Sequence, residues 1–251
     1  MNIIGIIPAR MASSRFPGKP MAKINGTPMI GHVYKRTSMC NDLRGTYVAT
    51  CDKEISDYIE SIGGTAIMTS SNHERASERT AEALLKVEEF IGGKVDIVVM
   101  VQGDEPMVTP EMIRESIEPF KDKSVNVVNL MGQMETLEEF EDPNEVKVVV
   151  DSKSDAIYFS REPIPSLKKS STTISMLKQV CVITFRRNHL EKFNGLGETE
   201  LERIESIDMN RLIEHGLKVR MVMIEDQTYS VDTGKDLKKV EDLLKGRGII
   251  K

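Results

Sequence analysis

Along the first half of the chain, short segments with the apolar pattern of strands alternate with longer segments that have the apolar periodicity of helices. Four short runs are apolar throughout and rich in β-branched residues, which is typical of strands covered on both faces of a sheet; they are 2–7, 45–50, 64–69 and 95–102. The longer segments between them have helical spacing of apolar residues; they are 28–40, 53–62, 77–91 and 109–119. Gly63 and Gly92 stand where helices often end. The alternation predicts βαβ units and an α/β fold with a mostly parallel central sheet.

The pattern changes after about residue 124, where strand-like runs lie closer together. These runs are 125–131, 145–160, 179–185 and 218–224. Residues 152–155 have the small polar side chains of a hairpin turn, and residues 167–176 have the composition of a flexible loop. Helical patterns cover about 198–215 and 233–244. The second half is therefore expected to be more antiparallel than the first.

Length and composition are those of an ordinary globular protein. The chain has 251 residues, of which 39% are hydrophobic and 29% are charged, which is enough for a substantial core. We expect one domain over residues 1–251 with an inserted strand-rich region over about 125–195. That region can supply the interface of a two-fold dimer.

Composition also excludes several functional classes. No apolar run approaches the ~20 residues that span a bilayer, and the N-terminus lacks the charged region of a signal peptide. The net charge is -5, whereas a protein that coats nucleic acid usually carries a broad basic face. Three cysteines without a CxxC pair argue against structural disulfides and favour a reducing cytoplasm.

The loop after the first strand is unusually cationic for an acidic protein. Its sequence, "IIPARMASSRFPGKP", contains Arg10, Arg15 and Lys19 and no acidic residue. The first acidic residue of the chain is Asp42, and six lysines and arginines precede it. Small residues, hydroxyls and permanent cations are what phosphate oxygens require. The loop is therefore a candidate phosphate site, and an ordinary solvated loop is the alternative.

Two aspartates follow strands at the edge of the sheet where α/β proteins bind ligands. Asp104 lies in "VQGDEP" after the run 95–102, and Asp232 lies in "SVDTGKDL" before the last helix. Paired carboxylates facing a cationic loop are suited to a metal-bound polyphosphate, because Mg²⁺ takes few protein ligands and shares substrate phosphates. The alternative is structural: each aspartate caps the helix that follows it, or Asp104 stabilises a turn.

Other polar groups receive structural interpretations. His32 and His215 lie within or at the end of helical patterns. His73, in the polar loop "SSNHERASER", is expected on a loop surface, and contact with a ligand is the alternative. No motif supports a catalytic cysteine, and most of the charges of "TELERIESIDMNR", residues 199–211, are expected on a solvated helix face. A GxGxxG fingerprint is missing after the first strand, which argues against a dinucleotide-dependent oxidoreductase.

Seven motifs follow one another between residue 3 and about residue 245. They are "IIPARMASSRFPGKP", "HERASERTAEA", "VQGDEP", "DPNEVKVVVD", "YFSREPIP", "LERIESIDMNRL" and "YSVDTGKDL". In this order and spacing they resemble the motifs of the CMP-Kdo synthetases, the 3-deoxy-manno-octulosonate cytidylyltransferases. The resemblance implies a Rossmann-like fold of the nucleotide-diphospho-sugar transferase type. It also implies a cytoplasmic homodimer that converts CTP and a 2-keto-3-deoxy sugar acid into a CMP-sugar and pyrophosphate, for lipopolysaccharide biosynthesis.

The resemblance further implies a role for individual residues. The residues expected around the nucleotide are Pro8, Ala9, Arg10, Ser13, Ser14, Arg15, Lys19, Arg79 and Gln102. Asp104 and Asp232 match the family's Mg²⁺-binding aspartates, and with Arg15 and Lys19 they are the expected catalytic residues. The residues expected at the sugar are Gln102, Arg161, Gln179, Asp208 and Met209.

Three departures from the family's pattern fall where the family holds its sugar. The family's "SGTDR" is "RASER" at 75–79, and its "RHIG" is "KQVC" at 178–181, with Gln179 in place of a histidine. Its "LEQLR" is "IDMNR" at 207–211, with Asp208 for Glu and Met209 for Gln. A buried polar group that loses its partner costs about 1–3 kcal/mol, so three changes together can switch the preferred substrate.

These departures leave three functional hypotheses. The first is an active Mg²⁺-dependent cytidylyltransferase whose sugar acid is a modified, for example amino-substituted, relative of Kdo. The second is plain Kdo activation with a repacked pocket. The third is a nucleotide-binding module of the same fold without catalytic activity.

Overall fold

The fold is described from a computed structural model, which describes residues 1–13, 15–168 and 175–245. The chain divides into two compact units. The first unit comprises the residues up to Arg114 together with the C-terminal segment from Thr228, and the second unit comprises Glu115–Gln227. The predicted insert, about 125–195, lies within the second unit, which extends further at both ends.

The first unit is built on parallel strands. Its strands are β1 (Ile3–Pro8), β2 (Lys23–Ile24), β3 (Thr27–Pro28), β4 (Gly45–Thr50), β5 (Thr65–Met68) and β6 (Ile97–Val101). Four of them form a parallel sheet in the order β6-β1-β4-β5, and β2 pairs with β3 in a short antiparallel sheet. Every residue of β1 and β6 is buried. The uninterrupted apolar runs of the sequence therefore mark the centre of this sheet.

Five helices accompany the strands of the first unit. They are α1 (Met29–Ser38), α2 (Lys53–Ser61), α3 (Ala76–Ile91), α4 (Pro110–Ile117) and α9 (Gly234–Lys245); the end of α4, from Glu115, belongs to the second unit. All five were expected, and their ends lie within two residues of the predicted ones. Gly92 ends α3 in the left-handed conformation with φ of 63°, which a residue with a side chain rarely adopts.

The second unit is mostly antiparallel, as predicted. Its strands are β7 (Val127–Gln133), β8 (Lys147–Val150), β9 (Ala156–Ser160), β10 (Leu177–Arg186) and β11 (Arg220–Met223). Strand β10 pairs antiparallel with β7, β9 pairs antiparallel with β8, and β11 pairs parallel with β7. The predicted hairpin at 152–155 is confirmed, with Ser154 at a φ of 61° in its turn. The expected fold class, a mostly parallel α/β sheet with a smaller antiparallel region, is therefore confirmed.

Helices of the second unit differ from the prediction at one point. They are α5 (Leu137–Glu141), α6 (Arg187–Gly195), α7 (Glu200–Glu205) and α8 (Asp208–Glu214). The single helix predicted over 198–215 is wrong, because Ser206 takes a left-handed φ of 55° and ends α7. Neither α5 nor α6 was predicted. Most of the predicted loop at 167–176 lies outside the described residues.

A buried ion pair joins the two helices on either side of Ser206. Arg211 donates to both carboxylate oxygens of Glu202 at 2.6 Å, and the Glu202 side chain has no exposed surface. The Arg211 guanidinium also lies 4.6 Å from the centre of the Phe193 ring. The expectation of a solvated face is therefore wrong for these two charges, which hold α7 against α8.

Two further expectations concern cysteines and membranes. Cys40, Cys51 and Cys181 form no disulfide bond, as the sequence predicted. Among the helices of the described ranges, none combines the length and the apolar character that crossing a membrane requires.

Candidate functional site

The cationic loop leaves β1 and is tied by hydrogen bonds to β4 and to the residue that precedes α2. The Ala9 N–H donates to the Ala49 carbonyl at 2.9 Å, and the Met11 N–H donates to Asp52 Oδ2 at 2.8 Å. Gly18, with φ of 72°, donates its N–H to the Met11 carbonyl at 3.1 Å. The loop therefore folds back on itself before the 3₁₀ turn that begins at residue 19.

Lys19 lies at the centre of the charged cluster. Its ammonium donates to Asp104 Oδ2 at 2.7 Å and to Asp232 Oδ1 at 3.1 Å. Arg15 donates to the same Asp232 oxygen at 2.8 Å. The sequence prediction that these four residues belong together is thus matched by direct contacts.

Burial and charge act in opposite directions on Lys19, whose side chain is 12% exposed. Removal from water favours the neutral amine, but the charges of Asp104 and Asp232 and their hydrogen bonds outweigh this effect. The pKa of Lys19 is consequently raised above its ordinary value, and the side chain is a cation at neutral pH.

Asp104 reaches this position because β6 ends beside the start of the cationic loop. A Cβ on Gly103 would lie 3.0 Å from the Pro8 carbonyl oxygen and 3.3 Å from the Ala9 Cβ, so glycine permits the close approach. The Asp104 carbonyl accepts from the Val231 N–H at 3.0 Å. That bond brings the segment before α9 alongside the end of β6.

Neither aspartate caps the helix that follows it. Thr109 accepts the Met112 N–H at the start of α4. At α9 the Asp236 carboxylate accepts the Thr233 N–H at 2.8 Å, and the Thr233 hydroxyl accepts the Asp236 N–H. The capping role proposed for Asp104 and Asp232 is therefore filled by threonines, and both carboxylates face the lysine.

A second loop, residues 69–75, approaches the cationic loop through Arg10. Arg10 Nη1 and Arg79 Nη2 both donate to the His73 carbonyl at 3.3 Å. Arg79 is 2% exposed and also donates to the Thr69 hydroxyl at 2.5 Å and the Ser70 carbonyl at 3.2 Å. Arg79 thus shapes this loop from beneath, and its predicted contact with the nucleotide stays a prediction.

Glu82 organises the same loop from the helix side. Its carboxylate accepts from His73 Nε2 at 2.5 Å, the Ser70 N–H at 2.9 Å and Lys86 Nζ at 2.7 Å. Burial acts to raise the pKa of Glu82, but these partners outweigh it and lower the pKa to about 2. His73 is therefore a paired side chain rather than the incidental surface residue that the sequence suggested.

Other residues predicted to contact the nucleotide lie in and around the cationic loop. Ser13 Oγ accepts the Phe16 N–H at 3.4 Å, and Phe16 packs on the apolar cluster beneath the loop. The Gln102 carbonyl accepts the Glu105 N–H at 3.1 Å. Ser14 lies outside the described residues. The nucleotide contacts of Pro8, Ala9, Ser13 and Gln102 stay predictions.

Arg161, in the second unit, is held by backbone carbonyls. Its Nε donates to the Glu205 carbonyl at 2.7 Å and its Nη1 to the Pro143 carbonyl at 2.8 Å. The Glu205 carboxylate accepts from the Tyr158 and Ser160 hydroxyls at 2.7 and 2.8 Å and from the Arg161 N–H at 2.8 Å. Burial, then the bond to Glu205, raises the pKa of Tyr158 to about 12. Sequence reasoning missed Glu205, because it looked like one charge among many.

Gln179 lies on β10 beside an irregularity that the sequence did not indicate. Its Nε2 donates to Asn129 Oδ1 at 2.5 Å. The Asn129 amide is fully buried and donates to the Val180 and Val182 carbonyls at 2.7 and 3.3 Å. The pairing of β10 with β7 shifts between Val180 and Ile183. Asn129 therefore satisfies the carbonyls of a bulge.

The remaining predicted sugar residues lie at the start of α8. Met209 has no exposed surface, so it packs in the core of the second unit. Asp208 is the first residue of α8 and supplies its first-turn acidic charge, a favourable position for a carboxylate. Their contact with a sugar stays a prediction, as does that of Arg161.

The chain has close relatives of known family over its whole length. The family model described as cytidylyltransferase matches residues 4–222. A 3-deoxy-manno-octulosonate cytidylyltransferase from Trichlorobacter lovleyi is 39% identical over 256 residues, covering 98% of this chain and 99% of the relative. One from Geobacter sulfurreducens is 40% identical over 256 residues, covering 98% and 100%.

Solved structures agree with these sequence matches. A CMP:2-keto-3-deoxy-manno-octonic acid synthetase complexed with CTP superposes with a TM-score of 0.89 at 35% identity, covering 99% of this chain and 100% of that one. A 4-diphosphocytidyl-2C-methyl-D-erythritol synthase from Anaerococcus prevotii has a TM-score of 0.65 at 15% identity, covering 97% and 96%, and shows the fold alone. With its charged cluster at the end of β6 and full-length similarity to these enzymes, the chain belongs to the cytidylyltransferase family and, within it, to the CMP-Kdo synthetases.

Proposed function

We propose that the chain transfers the cytidylyl group of CTP to the anomeric hydroxyl of Kdo and releases pyrophosphate. The observation that carries the proposal is the charged cluster, in which Lys19 and Arg15 pair with Asp104 and Asp232. Full-length relatives with this activity in their names support the same conclusion, as does the CTP complex of a similar enzyme.

The chemistry is an in-line displacement at the α-phosphorus of CTP. A bond forms between the anomeric oxygen and phosphorus, the bond from phosphorus to the oxygen bridging to the β-phosphate breaks, and the hydroxyl loses its proton. Charge develops on the non-bridging oxygens and on the leaving pyrophosphate. Arg10, Arg15 and Lys19 supply cations for these oxygens on a loop fixed to β4, so little reorganisation accompanies the reaction.

The residues present fit the magnesium ion that this family is expected to use. Asp104 Oδ1 is a buried carboxylate oxygen that accepts no hydrogen bond within the described residues. Mg²⁺ prefers such oxygens and often takes only one or two protein carboxylates. Within the described ranges no group of three or more His, Cys, Asp or Glu side chains could hold a metal. Asp104 and Asp232 would hold the ion, leaving its other positions to water and phosphate; the bound ion would neutralise phosphate charge and acidify the attacking hydroxyl.

Pyrophosphate release from CTP and Kdo in the presence of Mg²⁺ tests the proposal. Turnover is expected for the wild-type chain and its loss for Asp104→Asn. Asp57→Asn is the matched control, because Asp57 is an exposed partner of Lys53 in the same unit. No pyrophosphate with any sugar acid while CTP still binds would favour the non-catalytic module instead. Retained turnover in Asp104→Asn would show that this carboxylate is not required for the reaction.

A second candidate substrate is favoured by the orientation of Gln179. Because the Asn129 nitrogen donates to backbone carbonyls, its oxygen must face Gln179, and Gln179 must meet it with its own nitrogen. Gln179 therefore presents its carbonyl oxygen, an acceptor, as its remaining polar atom. An acceptor at a sugar-contacting position would favour a donor such as an amino substituent, and we propose an amino-substituted ulosonic acid as the alternative to Kdo.

Competition between the two sugar acids decides between these substrates. If the amino-substituted acid is preferred, its kcat/KM exceeds that of Kdo, and Gln179→His reduces the ratio. Gln133→His is the matched control, since Gln133 ends β7 and its side chain is exposed there. A higher kcat/KM for unmodified Kdo would remove the amino-sugar hypothesis and leave the proposed reaction intact.

Assembly and location follow from the family proposal rather than from the fold. We propose a homodimer in the cytoplasm, supported by the resemblance and by the three free thiols. Analytical ultracentrifugation at several protein concentrations tests the dimer.

A further inference from the structure

One ammonium group occupies the space between the two carboxylates that would bind a metal. Lys19 Nζ lies 2.7 Å from Asp104 Oδ2 and 3.1 Å from Asp232 Oδ1. The three side chains are 12%, 21% and 16% exposed, so water screens this arrangement only partly. In the free protein Lys19 therefore already supplies the positive charge that these carboxylates require.

A divalent cation and Lys19 compete for these oxygens. Mg²⁺ binds carboxylate oxygens at about 2.1 Å, and a cation placed there would lie against an ammonium that bonds to the same atoms. The divalent cation and the Lys19 ammonium, bound to the same oxygens, would repel each other strongly, because water is partly excluded from the site. Metal can fill the site only when Lys19 has left it.

We propose that Lys19 closes the metal site of the free enzyme and that a bound triphosphate opens it by drawing the ammonium onto phosphate oxygens. This inference rests on the proposed function, because it assigns both ligands to the same site. The cationic loop needs no large movement for the exchange, since only the flexible four-carbon side chain has to change partners. Asp104 Oδ1, which has no hydrogen bond within the described residues, remains available to the incoming metal.

Reciprocity follows from this exchange. If nucleotide raises the affinity for metal, metal must raise the affinity for nucleotide by the same factor. The enzyme would therefore hold little metal until its substrate is present. Removal of the Lys19 charge should uncouple the two events.

Titration of the nucleotide-free enzyme with Mn²⁺, followed by electron paramagnetic resonance, tests the inference without a catalytic assay. Lys19→Gln and Lys19→Met should bind Mn²⁺ at least roughly tenfold more tightly than the wild-type chain, because the competing charge is gone. Lys19→Arg keeps the charge and should bind as weakly as the wild type. Lys53→Gln is the matched control: Lys53 is 85% exposed and pairs with Asp57, so it removes the same net charge far from both aspartates.

The site of the bound ion is checked in the same titration. Asp104→Asn added to Lys19→Gln should abolish the tight binding. Equal Mn²⁺ affinity in Lys19→Gln, Lys53→Gln and the wild type would overturn the gating role while leaving the metal proposal intact. Turnover with CTP and Kdo in the absence of any divalent ion would instead overturn the metal proposal itself. Circular dichroism of each variant shows whether it is folded; should both neutral variants unfold, equal Mn²⁺ affinity of Lys19→Arg and the wild type would support the inference, and tighter binding by Lys19→Arg would overturn it.

Discussion

The predicted site residues of the two units differ in what they bind in the structure. In the first unit, Lys19 pairs with two carboxylates, and under our proposal a polyphosphate and a metal would replace these pairs. In the second unit, Arg161 is held by two backbone carbonyls and Gln179 by a buried asparagine. If a ligand displaced one of these backbone carbonyls or the buried asparagine, the displaced group would be left without a hydrogen-bond partner inside the protein. The first set is thus built to change partners, whereas the second is built to stay in place.

The largest effect of any substitution that tests this difference between the two units is expected at Asp104. Asp104→Asn removes a proposed metal ligand and leaves Lys19 with one carboxylate, so kcat/KM is expected to fall roughly a thousandfold. Steady-state pyrophosphate release measures the loss, with Asp57→Asn unchanged. The same fall in kcat/KM without any change in Mn²⁺ affinity would show that Asp104 contributes to catalysis by a route other than metal binding.

Disruption of the buried pair in the second unit should affect stability instead of exchange. Glu202→Gln leaves Arg211 without its carboxylate partner, and the free energy of unfolding should fall by roughly 3–5 kcal/mol. Urea unfolding at neutral pH measures this change. Glu198→Gln is the control, because Glu198 meets Arg203 at an exposed position and should change stability by less than about 1 kcal/mol.

Asn129 tests whether the second unit fixes the direction of Gln179. Asn129→Leu leaves the Val180 and Val182 carbonyls without this donor, which should cost about 1–3 kcal/mol. The released Gln179 amide can then rotate, and discrimination between Kdo and its amino-substituted analogue should weaken. Unchanged discrimination in a folded variant would show that Gln179 does not set the sugar preference.

Prediction from the sequence succeeded where a residue's role depends on its own neighbours in the chain. Apolar runs fixed β1 and β6, and strand ends located Asp104. It failed where contacts extend beyond one helical turn. Glu202 and Arg211, nine residues apart, pair across the left-handed Ser206 that ends α7, and the helical periodicity of the segment gave no sign of this break. In the sequence, Asn129 is only a polar residue that interrupts the apolar pattern of β7. Its role becomes clear only from its hydrogen bond to β10.

Acid should weaken the loop at 69–75 through Glu82. Its folded-state pKa is about 2, below the ordinary 4.5, so its contribution to stability is present above pH 4.5 and is lost as the pH falls towards 2. Glu82→Gln should lower the unfolding temperature at pH 7, and the difference from wild type should shrink by pH 2. A difference that is constant with pH would exclude ionisation as the cause.

The smallest effect is expected at an exposed pair of the first unit. Lys53 and Asp57 lie 2.5 Å apart with side chains 85% and 57% exposed. Lys53→Ala should leave the free energy of unfolding nearly unchanged, since water and salt screen such pairs. Thermal unfolding at low and high salt measures it. A larger change would mean that exposure does not distinguish this pair from the one at Lys19.

The irregularity in β10 has an evolutionary consequence. Pairing moves from Val180–Leu130 directly to Ile183–Asn129, so two residues are added to one strand and the alternation of its faces is preserved. Loss of one of them would turn Lys178 and Gln179 to opposite sides of the sheet. Deletion of a single codon would thus place the Lys178 ammonium group on the side of the sheet where the neutral Gln179 amide now lies. A change in strand length is therefore a second route to a new substrate, besides point mutation.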